Sequence, residues 1–302
     1  MLVVKGMSKT MKTNPKLSNN KANFNLLINS PPNAINTYFT IIISIPKKSN
    51  HKIVFDVQKG YNGYAMYKYK DKIRYSLVDK SGTVPPYEIL NLFQNCSTEQ
   101  SETIGKGVSY MLGLNKAWVL IGYKLVIERP VKYEEDIIVG TEPTGFRGFF
   151  GQRKYCIMDK DENYIIKADS LWTIIDLDSR SPLRITEEDF LGYELGEAFE
   201  GIKAERKIVF ESEGEEQKAK IVPKSFIDNN GHMNNANYLR LAYEYVDDFD
   251  KATEISIAFV KEAVEGQKIV PYIHKEADGV GITFKNIDGE DLAKVLVKID
   301  KK

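Results

Sequence analysis

Residues 227–239 read I-D-N-N-G-H-M-N-N-A-N-Y-L, and residues 78–90, 149 positions earlier, read V-D-K-S-G-T-V-P-P-Y-E-I-L. Asp228 matches Asp79, Gly231 matches Gly82 and Leu239 matches Leu90. Ile227/Val78 and Met233/Val84 keep hydrophobic residues in step. A helix is predicted after each copy. Ile89, Phe93, Cys96 and Thr103 recur at helical spacing in the first, with Pro86 suited to a first turn. Ala236, Leu239, Ala242, Val246 and Phe249 do so in the second.

Strand-like segments follow each helix. Trp118–Glu128, Asp136–Glu142, Gly148–Met158 and Tyr164–Asp176 are rich in Val, Ile, Tyr, Phe or Trp, and turn signals separate them. Glu254–Val260, Lys268–His274, Val280–Asn286 and Ala293–Ile299 form the second set, with Asn286-Ile287-Asp288-Gly289 as a hairpin turn. One strand is expected ahead of each motif: Ala65–Tyr69 or Arg74–Val78, and Ala204–Phe210 or Gln217–Val222. A duplicated unit follows, in which one long helix is wrapped by a curved antiparallel sheet, an α+β arrangement. The two helices imply that the halves share a continuous sheet or pack face to face.

The chain has 302 residues with 42 basic and 42 acidic side chains, and that balance argues against a nucleic-acid binder. The zero conceals a split. Residues 1–55 hold eight lysines and no acidic residue, and beyond them 34 basic face 42 acidic groups, a net of −8. Tyr38–Ile45 is the longest apolar run, well short of the ~20 residues of a spanning helix. The expected plan is a disordered or atypical extension over 1–58, an N-terminal unit over 59–177, a charged linker over 178–203 and a C-terminal unit over 204–302. Two cysteines, Cys96 and Cys156, form no metal-ligand or CxxC spacing and fit a reducing compartment. The scattered His51, His232 and His274 give no metal site, and no dinucleotide or phosphate-loop fingerprint appears, so neither metal nor cofactor is expected.

The two copies differ in chemistry. Where the first has Lys80, Ser81, Thr83, Pro85 and Pro86, the second has Asn229, Asn230, His232, Asn234 and Asn235. Asp228 and His232 offer acid–base capacity, asparagines offer polarising donors, and a helix N-terminus favours an anionic oxygen. A capping loop would account for Asp228 and for Asn234 or Asn235. It does not account for His232.

D-x-x-G-H-x-N-N-x-x-Y ahead of a helix resembles a hotdog-fold thioesterase pattern, met by Asp228, Gly231, His232, Asn234, Asn235 and Tyr238. The tandem length and the D-x-N-x-H spacing at Asp228, Asn230 and His232 resemble the acyl-acyl-carrier-protein (acyl-ACP) thioesterases of plants and bacteria. Trp118-Val119-Leu120, Arg129-Pro130 and Ala168-Asp169-Ser170-Leu171-Trp172 sit where that family has W-V, R-Y-P and R-A-S-S-x-W. The resemblance covers about residues 60–302. It implies a tandem double hotdog that hydrolyses fatty acyl-ACP, with Asp228, Asn230, His232 and Glu262 catalytic. It implies further that Asn234, Asn235, Trp118 and Trp172 bind substrate. Glu262 lies in Phe259-Val260-Lys261-Glu262-Ala263, where the family has R-R-E-C. Ala263 in place of the cysteine rules out a cysteine nucleophile there.

The acyl chain is expected in an apolar tunnel largely lined by the first half, with the thioester carbonyl at backbone donors of the second helix N-terminus. Either Asp228 or Glu262 would activate water or attack directly. Two other readings remain, an acyl-CoA thioesterase and a non-catalytic lipid-binding module. The implied partner is acyl carrier protein. Neither a nucleic acid nor a membrane span is implied, and the chain is a monomer or homodimer. Arg147, Arg153 and Lys154, or Arg180 and Arg184, would supply a basic docking patch for that acidic carrier. The expected location is cytoplasmic, or the plastid stroma if the extension is a transit peptide.

Overall fold

The computed structural model describes residues 38–44, 52–58 and 66–299. Tyr38–Ser44 (β1) and Lys52–Gln58 (β2) pair antiparallel, Tyr38 opposite Gln58 and Ser44 opposite Lys52. They fall in a unit of their own, residues 1–63, apart from a second unit over 64–302. A paired hairpin therefore lies inside the stretch expected to be disordered or atypical. The other residues of 1–58 lie outside the described ones.

In the second unit, Tyr67–Lys72 (β3) precedes the first motif and Pro86–Thr103 (α1) follows it. Val108–Gly113 (α2) leads into Lys116–Ile127 (β4), Asp136–Arg147 (β5), Phe150–Asp159 (β6) and Tyr164–Asp176 (β7). Pro182–Leu183 (β8) and Glu187–Phe190 (α3) fall in the expected linker, and Glu215–Glu216 (β9) and Lys220–Ile221 (β10) follow. Asn235–Tyr243 (α4) comes after the second motif, then Ala252–Phe259 (β11), Lys268–Glu276 (β12), Gly279–Lys285 (β13) and Asp291–Ile299 (β14).

One twelve-stranded sheet runs β10-β12-β13-β14-β11-β4-β7-β6-β5-β3, with β8 beside β7 and β9 beside β12. The halves join where β11 pairs antiparallel with β4, Glu254 opposite Val126 and Ala258 opposite Gly122. Of the two arrangements the sequence allows, the continuous sheet is the one formed.

Period-two hydrophobicity on the strands and the apolar stripe of α1 meet in one core. Ile89, Phe93 and Cys96 of α1 are buried there with Leu125, Tyr155, Ile157 and Ile166 of the sheet. Thr103, the last residue of the expected stripe, is exposed at the helix end. Phe93 stacks on Tyr155 with ring centroids 4.9 Å apart. Truncating Phe93 to alanine would leave a cavity costing about 3–5 kcal/mol. α1 and α4 pack side by side: Arg240 pairs with Glu88 at 2.9 Å and Tyr243 meets Tyr87 edge-on.

One expectation needs correction. α4 has nine residues and stops at Tyr243, whereas its apolar pattern continues to Phe249. Glu244, Asp247, Asp248 and Asp250 gather at a C-terminus whose dipole disfavours negative charge. A turn and a short 3₁₀ helix, Phe249–Lys251, bury Val246 and Phe249 instead. Of the two places allowed for a strand ahead of each motif, β3 overlaps Ala65–Tyr69 and the short β10 lies within Gln217–Val222, while Arg74–Val78 holds a 3₁₀ turn and Ala204–Phe210 holds no strand. The linker, finally, is built onto the first half. β8 pairs with β7. Asp189 of α3 accepts from the Thr186 amide at 2.8 Å and from Lys116 at 2.7 Å.

Candidate active site

The two motifs fold into the same turn. The Asp79 amide donates to the Thr83 carbonyl at 3.0 Å, and the Asp228 amide donates to the His232 carbonyl at 2.8 Å. Asp79 Oδ1 accepts from the Ser81 amide at 2.9 Å, and Asp228 Oδ1 from the Asn230 amide at 2.8 Å. Gly82 and Gly231 sit at φ +75° and +81°, where a Cβ is strained. The repeat is thus a structural one, and its aspartate first serves to hold the turn.

Chemistry enters where the copies diverge. The Val84 amide donates to the Val131 carbonyl and the Met233 amide to the Ala263 carbonyl, at 2.9 and 2.8 Å, which makes Pro130 the counterpart of Glu262. The first copy therefore offers Thr83 and Pro130, and the second His232 and Glu262. His232 Nε2 lies 3.3 Å from Glu262 Oε2, with the side chains 25% and 40% exposed. Tyr238, buried in α4, donates its hydroxyl to the Lys261 carbonyl at 3.3 Å and fixes the segment that carries Glu262. Arg180, 82 positions before Glu262, bonds the same Oε2.

Asp228 keeps most of its acceptor capacity within the loop. Oδ1 also accepts the His232 amide at 3.4 Å, and Oδ2 accepts Asn230 Nδ2 at 3.5 Å. Asn234 is the N-cap of α4, with Oδ1 accepting the Ala236 amide at 2.9 Å. The amides of Met233, Asn234, Ala236 and Asn237 all have protein acceptors: Ala263 O, Phe226 O, Asn234 Oδ1 and Asn234 O. Four of the amides around the helix start, where the thioester carbonyl was expected, are thus committed internally.

A cleft of about 210 Å³ adjoins this loop. Its walls come from the first half, among them Trp118, Trp172, Phe146 and Met111, and Asn229 and Asn230 of the second motif close one side. Of the eight residues singled out in the sequence, Asn230, Trp118 and Trp172 line it. Asp228, His232 and Glu262 gather beside it, while Asn234 and Asn235 sit at the start of α4 away from its walls. The expected apolar character is only partly met, because Gln94, Ser97, Thr98, Ser101 and Arg153 also line it. Tyr193 is a further wall residue; its hydroxyl bonds Ser101 Oγ at 2.7 Å, and only its aromatic character in a charged linker marked it.

Both cysteines are buried, and burial pushes their thiols up, Cys156 to about 12, so neither is a ready nucleophile. The expected docking patch is partly dismantled. Arg153 is buried, Lys154 pairs with Glu142 at 2.9 Å, and Arg180 is on Glu262, leaving Arg147 and Arg184 exposed.

Family models match two stretches of the chain: the acyl-ACP thioesterase N-terminal domain over residues 64–193 and the C-terminal domain over 210–300. A search of curated protein sequences returned no match. An acyl-ACP thioesterase from Bacteroides thetaiotaomicron superposes with a TM-score of 0.72 at 20% identity, covering 78% of this chain and 98% of that one. The 12:0-ACP thioesterase from Umbellularia californica gives 0.69 at 15% identity, covering 80% and 100%. A putative oleoyl thioesterase from Lactobacillus plantarum gives 0.68 at 18%, covering 79% and 98%. At these identities the structures show a common fold, the double hotdog. With both family domains in order over most of its length, the chain belongs to the acyl-ACP thioesterase family, thioester hydrolases acting on fatty acyl-ACP.

Proposed function

We propose that hydrolysis of the acyl-ACP thioester is carried by the His232–Glu262 pair at the edge of the cleft. The observation that supports it is the 3.3 Å approach of His232 Nε2 to Glu262 Oε2, in the one copy that has both groups. Glu262 accepts a hydrogen bond from Nε2–H and fixes the ring, which leaves Nδ1 to take a proton from water. The hydroxide so formed attacks the thioester carbon. Asn230, on the cleft wall, polarises the carbonyl oxygen through its Nδ2, a donor of the kind whose loss costs about 10²–10³ in rate. The imidazolium then returns the proton to the departing thiolate, giving free fatty acid and carrier thiol. Asp228 holds Asn230 and His232 in register. Trp118 and Trp172 line the acyl path.

Carrier protein is the proposed donor of the acyl group, and the cytoplasm the proposed location. Two hotdog units in one chain already provide the sheet pairing that joins β4 to β11, so a monomer suffices for the site. Steady-state thiol release from acyl-ACP and from the matching acyl-CoA tests the donor. A kcat/KM at least tenfold higher on acyl-ACP supports it, and equal or better turnover of acyl-CoA refutes it. A bound fatty acid with no thiol released from either donor would instead favour a lipid-binding module.

A further inference from the structure

A buried charge lines the cleft. Arg153 faces it from β6 and is 9% exposed. Its Nη1 donates to Thr141 Oγ1 at 3.1 Å and to Gln100 Oε1, and the Tyr193 ring lies 5.4 Å from its guanidinium carbon. Lys154 takes the adjacent Glu142, so among the described residues the partners of Arg153 are neutral.

Strand register shows where the space stops. Gly151 and Arg153 line the cleft, whereas Tyr155, next on the same face of β6, is fully buried against Phe93. On α1, Ser101, Ser97 and Gln94 line it and Phe93 does not. Along β6 the space therefore stops at Arg153, which is backed by closed core. The cleft's 210 Å³ falls below the ~300 Å³ at the small end of ligand pockets.

We propose that Arg153 determines acyl specificity: a short chain stops before its guanidinium, and a longer chain is accepted only when its tip carries a hydrogen-bond-accepting oxygen. This rests on the thioesterase reading of the site. A methyl tip pressed onto a buried guanidinium removes its remaining water and returns no acceptor, a cost that a hydroxyl or carboxylate tip avoids. Pocket discrimination of one methylene is worth about 10–200-fold, so the cutoff with length should be steep.

The test is kcat/KM of the full chain on acyl carrier proteins of increasing methyl-ended length. At the first length where the value falls about tenfold, the ω-hydroxy chain of equal length is compared. The hydroxyl should recover at least about fivefold. Arg153→Met should raise the ratio of long-chain to short-chain kcat/KM by about tenfold, and Arg153→Lys should leave that ratio low. Equal rates for methyl and hydroxyl tips, rates that keep rising to the longest chains, or a folded Arg153→Met with the parent's length profile would each overturn the proposal. Should Arg153→Met not fold, the tip comparison on the unaltered chain decides alone. No hydrolysis of any acyl-ACP would instead defeat the thioesterase reading.

Discussion

Replacing Asp169 with asparagine removes a negative charge from the sheet while keeping the shape that anchors the chain after the linker. The residue is 3% exposed, and its Oδ2 accepts the Ala204 amide at 2.8 Å. Burial raises its pKa from the ordinary 3.8 to about 6, against the Ala204 and Ser170 amides and the Lys203 charge, which pull it down. Between pH 4 and 6 the folded chain holds a proton that the unfolded chain has released. Unfolding free energy from this group therefore falls as pH rises through that window. A shift of about two units at 1.36 kcal/mol each is about 3 kcal/mol, nearly all lost by pH 7. Asparagine does not titrate. The stability of Asp169→Asn relative to the parent should thus grow by about 2.4 kcal/mol from pH 4, where the unfolded carboxyl is already partly ionised, to pH 7, or about 5–10 °C in Tm for a unit of this size. Thermal unfolding followed by circular dichroism at matched ionic strength measures it. Parallel Tm-against-pH curves for the two proteins would refute the reasoning.

Other consequences are smaller. Arg180→Ala should lower kcat by up to about fivefold, because a half-exposed ion pair is worth up to about 1 kcal/mol; a hundredfold loss would place Arg180 in the reaction itself. Asn234→Ala should cost about 1 kcal/mol of stability, seen as a Tm lower by about 2–4 °C, through loss of the α4 cap. A raised KM for acyl-ACP at unchanged Tm would instead return Asn234 to substrate binding.

Much of the architecture is legible in the sequence because local pattern and burial agree. Tyr164–Asp176 was expected as a strand and is β7 to the residue, since its β-branched and aromatic residues pack on both faces of a central strand. The repeat of Asp79/Asp228 and Gly82/Gly231 encodes a turn whose hydrogen bonds are local, so a one-dimensional match carries it. What escapes is decided between distant segments. Arg180 reads as a surface charge until the turn after β7 brings it onto Glu262. Arg153 reads as a docking residue because nothing in Gln152-Arg153-Lys154 shows that alternate positions of β6 face inward. The Met233 and Asn234 amides ahead of α4 look available for an oxyanion until Ala263 and Phe226 are seen to accept from them. Glu262 is singled out by family resemblance alone, because its 3.3 Å approach to His232 Nε2 joins segments thirty residues apart.

The most direct measurement is single-turnover release of carrier thiol from fatty acyl-ACP by the parent, His232→Ala and Glu262→Gln, each shown folded by its thermal transition. The account predicts at least about a 10²-fold loss in rate for both variants. Turnover near the parent's in either would contradict it.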